Sequence, residues 1–486
     1  RTKRVGELFM SLSKREVLFG MVAGLAAGAA PVGAQGRRPP NVVIVLADDM
    51  GYGDLSLHGA PTINTPNIDR LAHEGAEVTS FYTAPVCTPT RGMLLTGRYP
   101  PRTGLYSPTG PKDPGGIRPT ELTLADLLKK QGYRTAMFGK WHLGDFESDA
   151  QFNPVNHGFD RFLGIPYSHD YNPPDGVPLF DGLKKVEQPV AYQTLTKRLT
   201  EGAVDVIEKA GDQPFFIYLA HPMPHVPVGS SEAFKGHSRA GRYGDAVEEV
   251  DWSVGEVLKA VKARGIDENT LVVFLSDNGP WAMVGEKVQD RGPRGTQERG
   301  DVGSPGQMRG SKTSVWEGGV RVPAVFRWPG RIPAGRRTAD IVSVLDLYPT
   351  VLGLAGGQVP ADRTIDGLDI APVLTRGAAS PRQEVFFSLN RNLLAVRQGP
   401  WKLQVPDTGT TSTSQAVQAK DPISLAPELV AEQATPTEPA LFNLETDPAE
   451  RYNRAAEHPD IVARLTARLA EARAALTADR RLPQPA

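Results

Sequence analysis

Three unbroken apolar runs constrain this chain more than any other feature: Asn41-Val42-Val43-Ile44-Val45-Leu46-Ala47, Phe215-Phe216-Ile217-Tyr218-Leu219-Ala220 and Leu271-Val272-Val273-Phe274-Leu275. A strand with one wet face alternates polar and apolar residues. A run without alternation is buried on both faces, as in a parallel sheet covered by helices. Residues 135–138 and 324–326 are shorter strand candidates. Helical spacing occupies residues 67–73 (opened by Thr65-Pro66), 122–130, 193–209 and 246–264. Strands alternating with helices predict an α/β fold with a large sheet flanked by helices. Ligands of such sheets collect beyond the carboxyl ends of the strands. The residues that follow these runs are therefore the first place to seek chemistry.

The texture changes near residue 380. Residues 385–389, 393–397, 401–405 and 441–444 read as short strands in hairpin-like spacing, followed by a helix over 460–476. This predicts a smaller C-terminal α+β domain, residues 380–486, with an antiparallel sheet, after a catalytic domain of residues 37–379. Residues 407–439, rich in Thr, Ser, Ala and Pro, and residues 285–307, rich in Gly, Arg and Asp, read as long loops. The second loop falls between two site motifs and is expected to border the site. At the other end, Lys14 and Arg15 precede an apolar run over residues 17–30, and Val32-Gly33-Ala34 offers small residues for cleavage. Residues 1–36 thus read as a secretory signal peptide starting at Met10 and cleaved after Ala34, too short for a stable membrane anchor. Basic and acidic residues nearly balance, 54 Lys+Arg against 55 Asp+Glu, which argues against a nucleic-acid partner. Nothing in the sequence sets an oligomeric state.

Export permits disulfides, yet the chain has one cysteine. Cys87 opens Cys87-Thr88-Pro89-Thr90-Arg91, with Pro89 suited to the first turn of a helix and Arg91 one turn on from Cys87, on the same face. That turn's free N–H groups would lie near the sulfur. Asp48-Asp49 closes the first apolar run and Asp277-Asn278 follows the third. Three carboxylates and an amide oxygen at strand ends suit a hard divalent cation. No Cys or His cluster has zinc spacing. Four basic residues also follow strands or border loops: Lys140 and His142 in Gly139-Lys140-Trp141-His142, His225 in the proline-stiffened His221-Pro222-Met223-Pro224-His225-Val226-Pro227, and Lys312. Together they predict a pocket for a tetrahedral anion.

The Cys-x-Pro-x-Arg pattern, with Leu95-Thr96-Gly97-Arg98 behind it, resembles the sulfatase family. Asp48, Asp49, Cys87, Arg91, Lys140, His142, His225, Asp277, Asn278 and Lys312 match its motif positions in order. Residues 161–170 resemble the arylsulfatase A branch, and residues 441–448 the family's C-terminal strand and turn. The sparse cysteines make the chain look like a bacterial exported relative, periplasmic or secreted. The resemblance implies an alkaline-phosphatase-like fold and hydrolysis of small-molecule sulfate esters. It also implies conversion of Cys87 to formylglycine by a formylglycine-generating enzyme, and bound Ca2+ in preference to Mg2+. Asp48, Asp49, Asp277, Asn278 and the side chain at position 87 would hold the metal. Arg91 would stabilise the attacking hydroxyl, and Lys140, Ser168, His225 and Lys312 would hold the sulfate. His225, with Lys312, would protonate the leaving oxygen, and His142 would take a proton in the release of sulfate. A phosphatase or phosphonate hydrolase of the same superfamily, and an inactive sulfate-ester binder, are the competing readings.

Overall fold

The computed structural model describes residues 38–171, 173–281, 302–407 and 432–478. The expected signal peptide and most of both long loops lie outside them. The described residues from Pro39 onward form one compact unit. Among the described residues, no helix is long and apolar enough to cross a membrane.

The main sheet contains β1 (Asn41–Ala47), β2 (Ala76–Tyr82), β3 (Arg134–Lys140), β4 (Arg161–Ile165), β5 (Leu179–Asp181), β6 (Lys184–Glu187), β7 (Phe215–Ala220), β8 (Thr270–Ser276), β9 (Arg321–Val322), β10 (Ala324–Arg327) and β11 (Arg336–Ser343). Its order is β11-β2-β10-β8-β1-β7-β3-β4-β5-β6, with β9 paired to β2. The three apolar runs are the adjacent strands β8, β1 and β7, all parallel. β3 and β4 continue the parallel block. β10 runs antiparallel to both β8 and β2, which makes the sheet mixed and returns β2 to the direction of β8.

The apolar runs are continuous because each face meets a separate core. Val42, Ile44 and Leu46 join the side that holds the helices Cys87–Thr96, Leu124–Lys130 and Leu347–Leu354. Val43, Val45 and Ala47 join the side that holds Pro66–His73, Leu195–Lys209 and Gly241–Ala263. Fully burying one such aliphatic side chain contributes about 1.5–3 kcal/mol. The helices match their expected segments closely, except that the last begins at Gly241 rather than 246, so that buried Tyr243 and Asp245 are helical.

The C-terminal sheet is antiparallel, in the order β12 (Glu384–Leu389), β13 (Asn392–Gln398), β14 (Trp401–Gln404), β15 (Ala440–Asn443). It shares a core with the main sheet: Val396, Leu403 and Leu441 belong to the same cluster as Ile44 and Leu46. A buried ionic bond joins the two sheets as well. Lys402 Nζ on β14 lies 2.9 Å from Glu317 Oε1 and 3.0 Å from Glu450 Oε1, with all three side chains fully buried. Tyr82 on β2 donates to Glu317 at 2.8 Å, and Glu450 accepts the Glu317 backbone N–H at 2.6 Å. Removing the cation leaves two carboxylates in a dry interior, a loss of about 3–5 kcal/mol. Lys402→Met is therefore expected to lower unfolding stability by that order in urea titration; an unchanged midpoint would contradict the bridge.

Candidate active site

The carboxyl ends of β1, β8, β7, β3 and β4 lie along one edge of the sheet, and β2 ends there too. Ala47 pairs with Ser276, so Asp48-Asp49 and Asp277-Asn278 emerge side by side. Lys140 is the last residue of β3, and His142 follows in a left-handed conformation at φ 59°. The His225 loop leaves β7. Ser168 is buried beyond β4, next to His169, whose ring centroid is 5.7 Å from that of His225. Cys87 is the first residue of the helix Cys87–Thr96, which keeps Pro89 in its first turn.

These residues meet in one enclosed cluster. The Cys87 thiol lies 3.4 Å from Asp48 Oδ1, 3.9 Å from Asp49 Oδ1 and 3.4 Å from Lys312 Nζ. Lys140 Nζ is 2.6 Å from Asp48, and Lys312 Nζ is 2.7 Å from Asp49 Oδ1. Arg91 grips Asp277 Oδ2 through Nε at 3.1 Å and Nη2 at 2.8 Å, and donates from Nη1 to the Lys140 carbonyl at 2.6 Å. His225 Nε2 is 3.4 Å from Asp49 Oδ2. Asp48, Asp49, Cys87 and His225 offer ligand atoms all within 4.8 Å of one another, a group that could hold a metal.

The donor set fits a divalent cation. Buried Asn278 donates from Nδ2 to Asp49 at 2.7 Å, while its Oδ1 has no partner. A half-turn of the carboxamide exchanges the two atoms and presents an oxygen. Burial and the Asp48 charge push Asp277 up to about 6 despite Arg91. Burial raises Asp49 too, with Asp48 adding to it against Lys312. Burial also opposes charge on Asp48, but Lys140, His225, Arg91 and Lys312 outweigh it and hold that carboxyl well below its ordinary range. Crowded carboxylates with raised pKa values and an orphaned oxygen are what a hard cation would relieve. Burial, with Asp277 and Asp48 beside it, pushes the Cys87 thiol well up. Burial and Lys312 bring His225 down to about 4, and burial with Lys140 and Arg91 takes His142 well below its usual value.

Sequence reasoning missed supporting residues. Tyr243 donates to Asp54 at 2.6 Å, and its hydroxyl lies 3.4 Å from the carbonyl of Asp49, which is left-handed at φ 64°. Asp54 also accepts from Ser304 N at 2.8 Å, tying down the described end of the loop over 285–307. The close Asp48–Asp54 spacing was the available signal for Asp54; nothing local marks Tyr243.

The sulfatase family pattern matches residues 40–357, and that of the C-terminal region of aryl-sulfatase matches residues 380–483. The chain belongs to the sulfatase family. It is 38% identical to N-acetylgalactosamine-6-sulfatase of Canis lupus familiaris, over 93% of this chain and 88% of that protein. It is equally 38% identical to arylsulfatase A of Bos taurus, over 90% of this chain and 87% of that protein. The crystal structure of PsFucS1 sulfatase from Pseudoalteromonas sp. superposes with a TM-score of 0.76 at 30% identity, covering 92% of each chain. The arylsulfatase A resemblance is thus real but shared with a second sulfatase type. This sulfatase is a sulfuric ester hydrolase. Asp49→Ala is expected to strip bound divalent metal, measured by elemental mass spectrometry on purified protein, and to cut turnover by orders of magnitude. Unchanged metal stoichiometry would remove Asp49 from the ligand set.

Proposed function

We propose that this sulfatase acts through formylglycine formed from Cys87 by a formylglycine-generating enzyme, with Ca2+ as the resident metal in preference to Mg2+. The observation that carries the reading is the position of Cys87: first residue of its helix, within 4 Å of Asp48, Asp49 and Lys312. No other cysteine exists to pair with it. Export to the periplasm or the medium belongs to the same reading, from the apolar N-terminal run and its small-residue cleavage site.

Formylglycine would supply a hydrated aldehyde with two hydroxyls, one to attack sulfur in place of the alcohol and one whose proton loss would expel sulfate and restore the carbonyl. Asp48, Asp49, Asp277, Asn278 and the residue-87 side chain would hold the cation, which would supply positive charge that favours the ionised hydroxyl. Arg91 adds fixed charge from one helical turn away. Lys140, Ser168, His225 and Lys312 hold the sulfate oxygens and stabilise their charge in a site that excludes water. Burial leaves His142 neutral, the form needed to accept a proton in the release of sulfate. His225 donates a proton to the leaving oxygen. In the free enzyme burial and Lys312 keep it neutral, and the anionic ester beside it favours the protonated form. Burial opposes charge on Lys312, but Asp49 chiefly holds its pKa well above the ordinary value, so it carries a proton throughout and supports this transfer.

Parallel assays on aryl sulfates and aryl phosphates test the reading against a phosphatase or phosphonate hydrolase. Sulfate turnover is expected to dominate, and a preference for phosphate would overturn it. Cys87→Ser is expected to abolish multiple turnover, because serine can attack but cannot eliminate sulfate in this way. A poor alkoxide leaving group needs a proton more than a nitrophenolate does. His225→Ala should therefore reduce kcat/KM more steeply as the leaving alcohol becomes less acidic. A slope equal to that of the parent would move the donor role to Lys312.

A further inference from the structure

His142 poses a physical problem. Both ring nitrogens are buried without a hydrogen-bond partner. Its only described ring neighbour is Tyr171, edge-on with centroids 6.1 Å apart. No hydrogen bond aims the imidazole, so its place depends on its packing and on its backbone. That backbone is left-handed, at φ 59°, a conformation costly for a non-glycine residue and kept only where the surroundings impose it.

Two bonds impose it. The His142 N–H donates to the Pro166 carbonyl at 2.9 Å. On the other side the Thr88 hydroxyl donates to the His142 carbonyl at 2.6 Å, between two residues that are essentially unexposed. Thr88 is the residue after Cys87, in the first turn of the same helix. Its oxygen also accepts the Thr109 N–H at 3.4 Å, and the Thr109 hydroxyl accepts the Gly144 N–H at 3.2 Å. The turn over residues 142–144 is thereby clasped from the helix that presents position 87.

We propose that Thr88 is a positioning residue for His142: its hydroxyl holds the left-handed turn and so fixes the imidazole relative to the side chain at position 87. This rests on the reading of His142 as the base that serves sulfate release. The Thr88 bond then sets the spacing between the residue from which sulfate is expelled and the residue that takes its proton. Valine replaces the hydroxyl with a methyl of similar size, keeps the Cys-x-Pro-x-Arg pattern for maturation, and removes the bond.

The test compares Thr88→Val, Thr88→Ser, His142→Ala and the Thr88→Val/His142→Ala double variant on a series of sulfate esters. Each variant is first matched for conversion of residue 87 by peptide mass spectrometry. Thr88→Val is expected to lower kcat on the order of 100-fold, the scale of an ångström-level misplacement. All leaving groups should fall to a common kcat, with one rapid equivalent of alcohol released before slow turnover. Thr88→Ser, which keeps the hydroxyl, should restore the parent rate. In the His142→Ala background Thr88→Val should cost nothing further, because a residue acting only through another is silent once that one is gone. A full additional loss in the double variant, or no rescue by serine, would overturn the proposal. His142→Ala turning over at the parent rate would instead overturn the role of His142 itself. Should Thr88→Val fail to fold, Thr88→Ala removes the same bond without adding a methyl and carries the same comparison.

Discussion

The active site depends on keeping opposite charges packed together away from the surface. Asp48, Asp49 and Asp277 face Arg91, Lys140 and Lys312, and each of these side chains is almost wholly buried. Two unit charges 4 Å apart interact by about 4 kcal/mol at an effective dielectric constant near 20. Each group is therefore tolerable only in the presence of its neighbours. The parallel block supplies that arrangement by ending β1 and β8 in register, so that two acidic pairs emerge together. The helix after β2 then brings Cys87 and Arg91 into the gap. The cluster sets three carboxyl side chains against three basic ones in one buried group.

The C-terminal sheet is part of this device. Its Lys402 holds Glu317, and Glu450 holds the Glu317 N–H. Glu317 directly follows the segment that carries Lys312. Gly318 N donates to the Arg309 carbonyl at 2.7 Å, closing the turn around Lys312, and Gly279 N donates to the Gly319 carbonyl at 3.0 Å, binding that turn to Asn278. A buried pair of this kind is weak evidence for added stability. Here it fixes the place of a loop whose lysine must lie within a hydrogen bond of Asp49. The left-handed Glu450, at φ 51°, is a further sign that position rather than comfort governs this segment.

Much of this was legible in the sequence, for a physical reason. Strands buried on both faces must be apolar throughout, so β1, β7 and β8 announced themselves, and the polar residues at their ends stood out by contrast. The strands missed in the main sheet, β2, β4, β5, β6, β9 and β11, are of two kinds: short ones, and two that carry polar groups among their residues. β2 contains Glu77, Thr79 and Ser80, all buried but satisfied by partners distant in sequence. β11 mixes Arg, Thr and Asp with a single apolar end. The Cys87 helix was readable from proline placement. The Thr88–His142 bond, which spans 54 residues, and the Lys402–Glu317 bridge were not. Neither follows from spacing or periodicity, since each is created only when separate elements are packed together. Substrate choice is equally invisible, because the chain is as similar to an N-acetylgalactosamine-6-sulfatase as to arylsulfatase A.

The central claim is that residue 87 does its chemistry as formylglycine and not as cysteine. The direct measurement is the mass of the peptide containing position 87, taken on preparations whose specific activity spans a wide range. The converted fraction is expected to rise in proportion to specific activity and to reach zero where activity does. Full activity in protein whose peptide carries unmodified Cys87 would contradict the account.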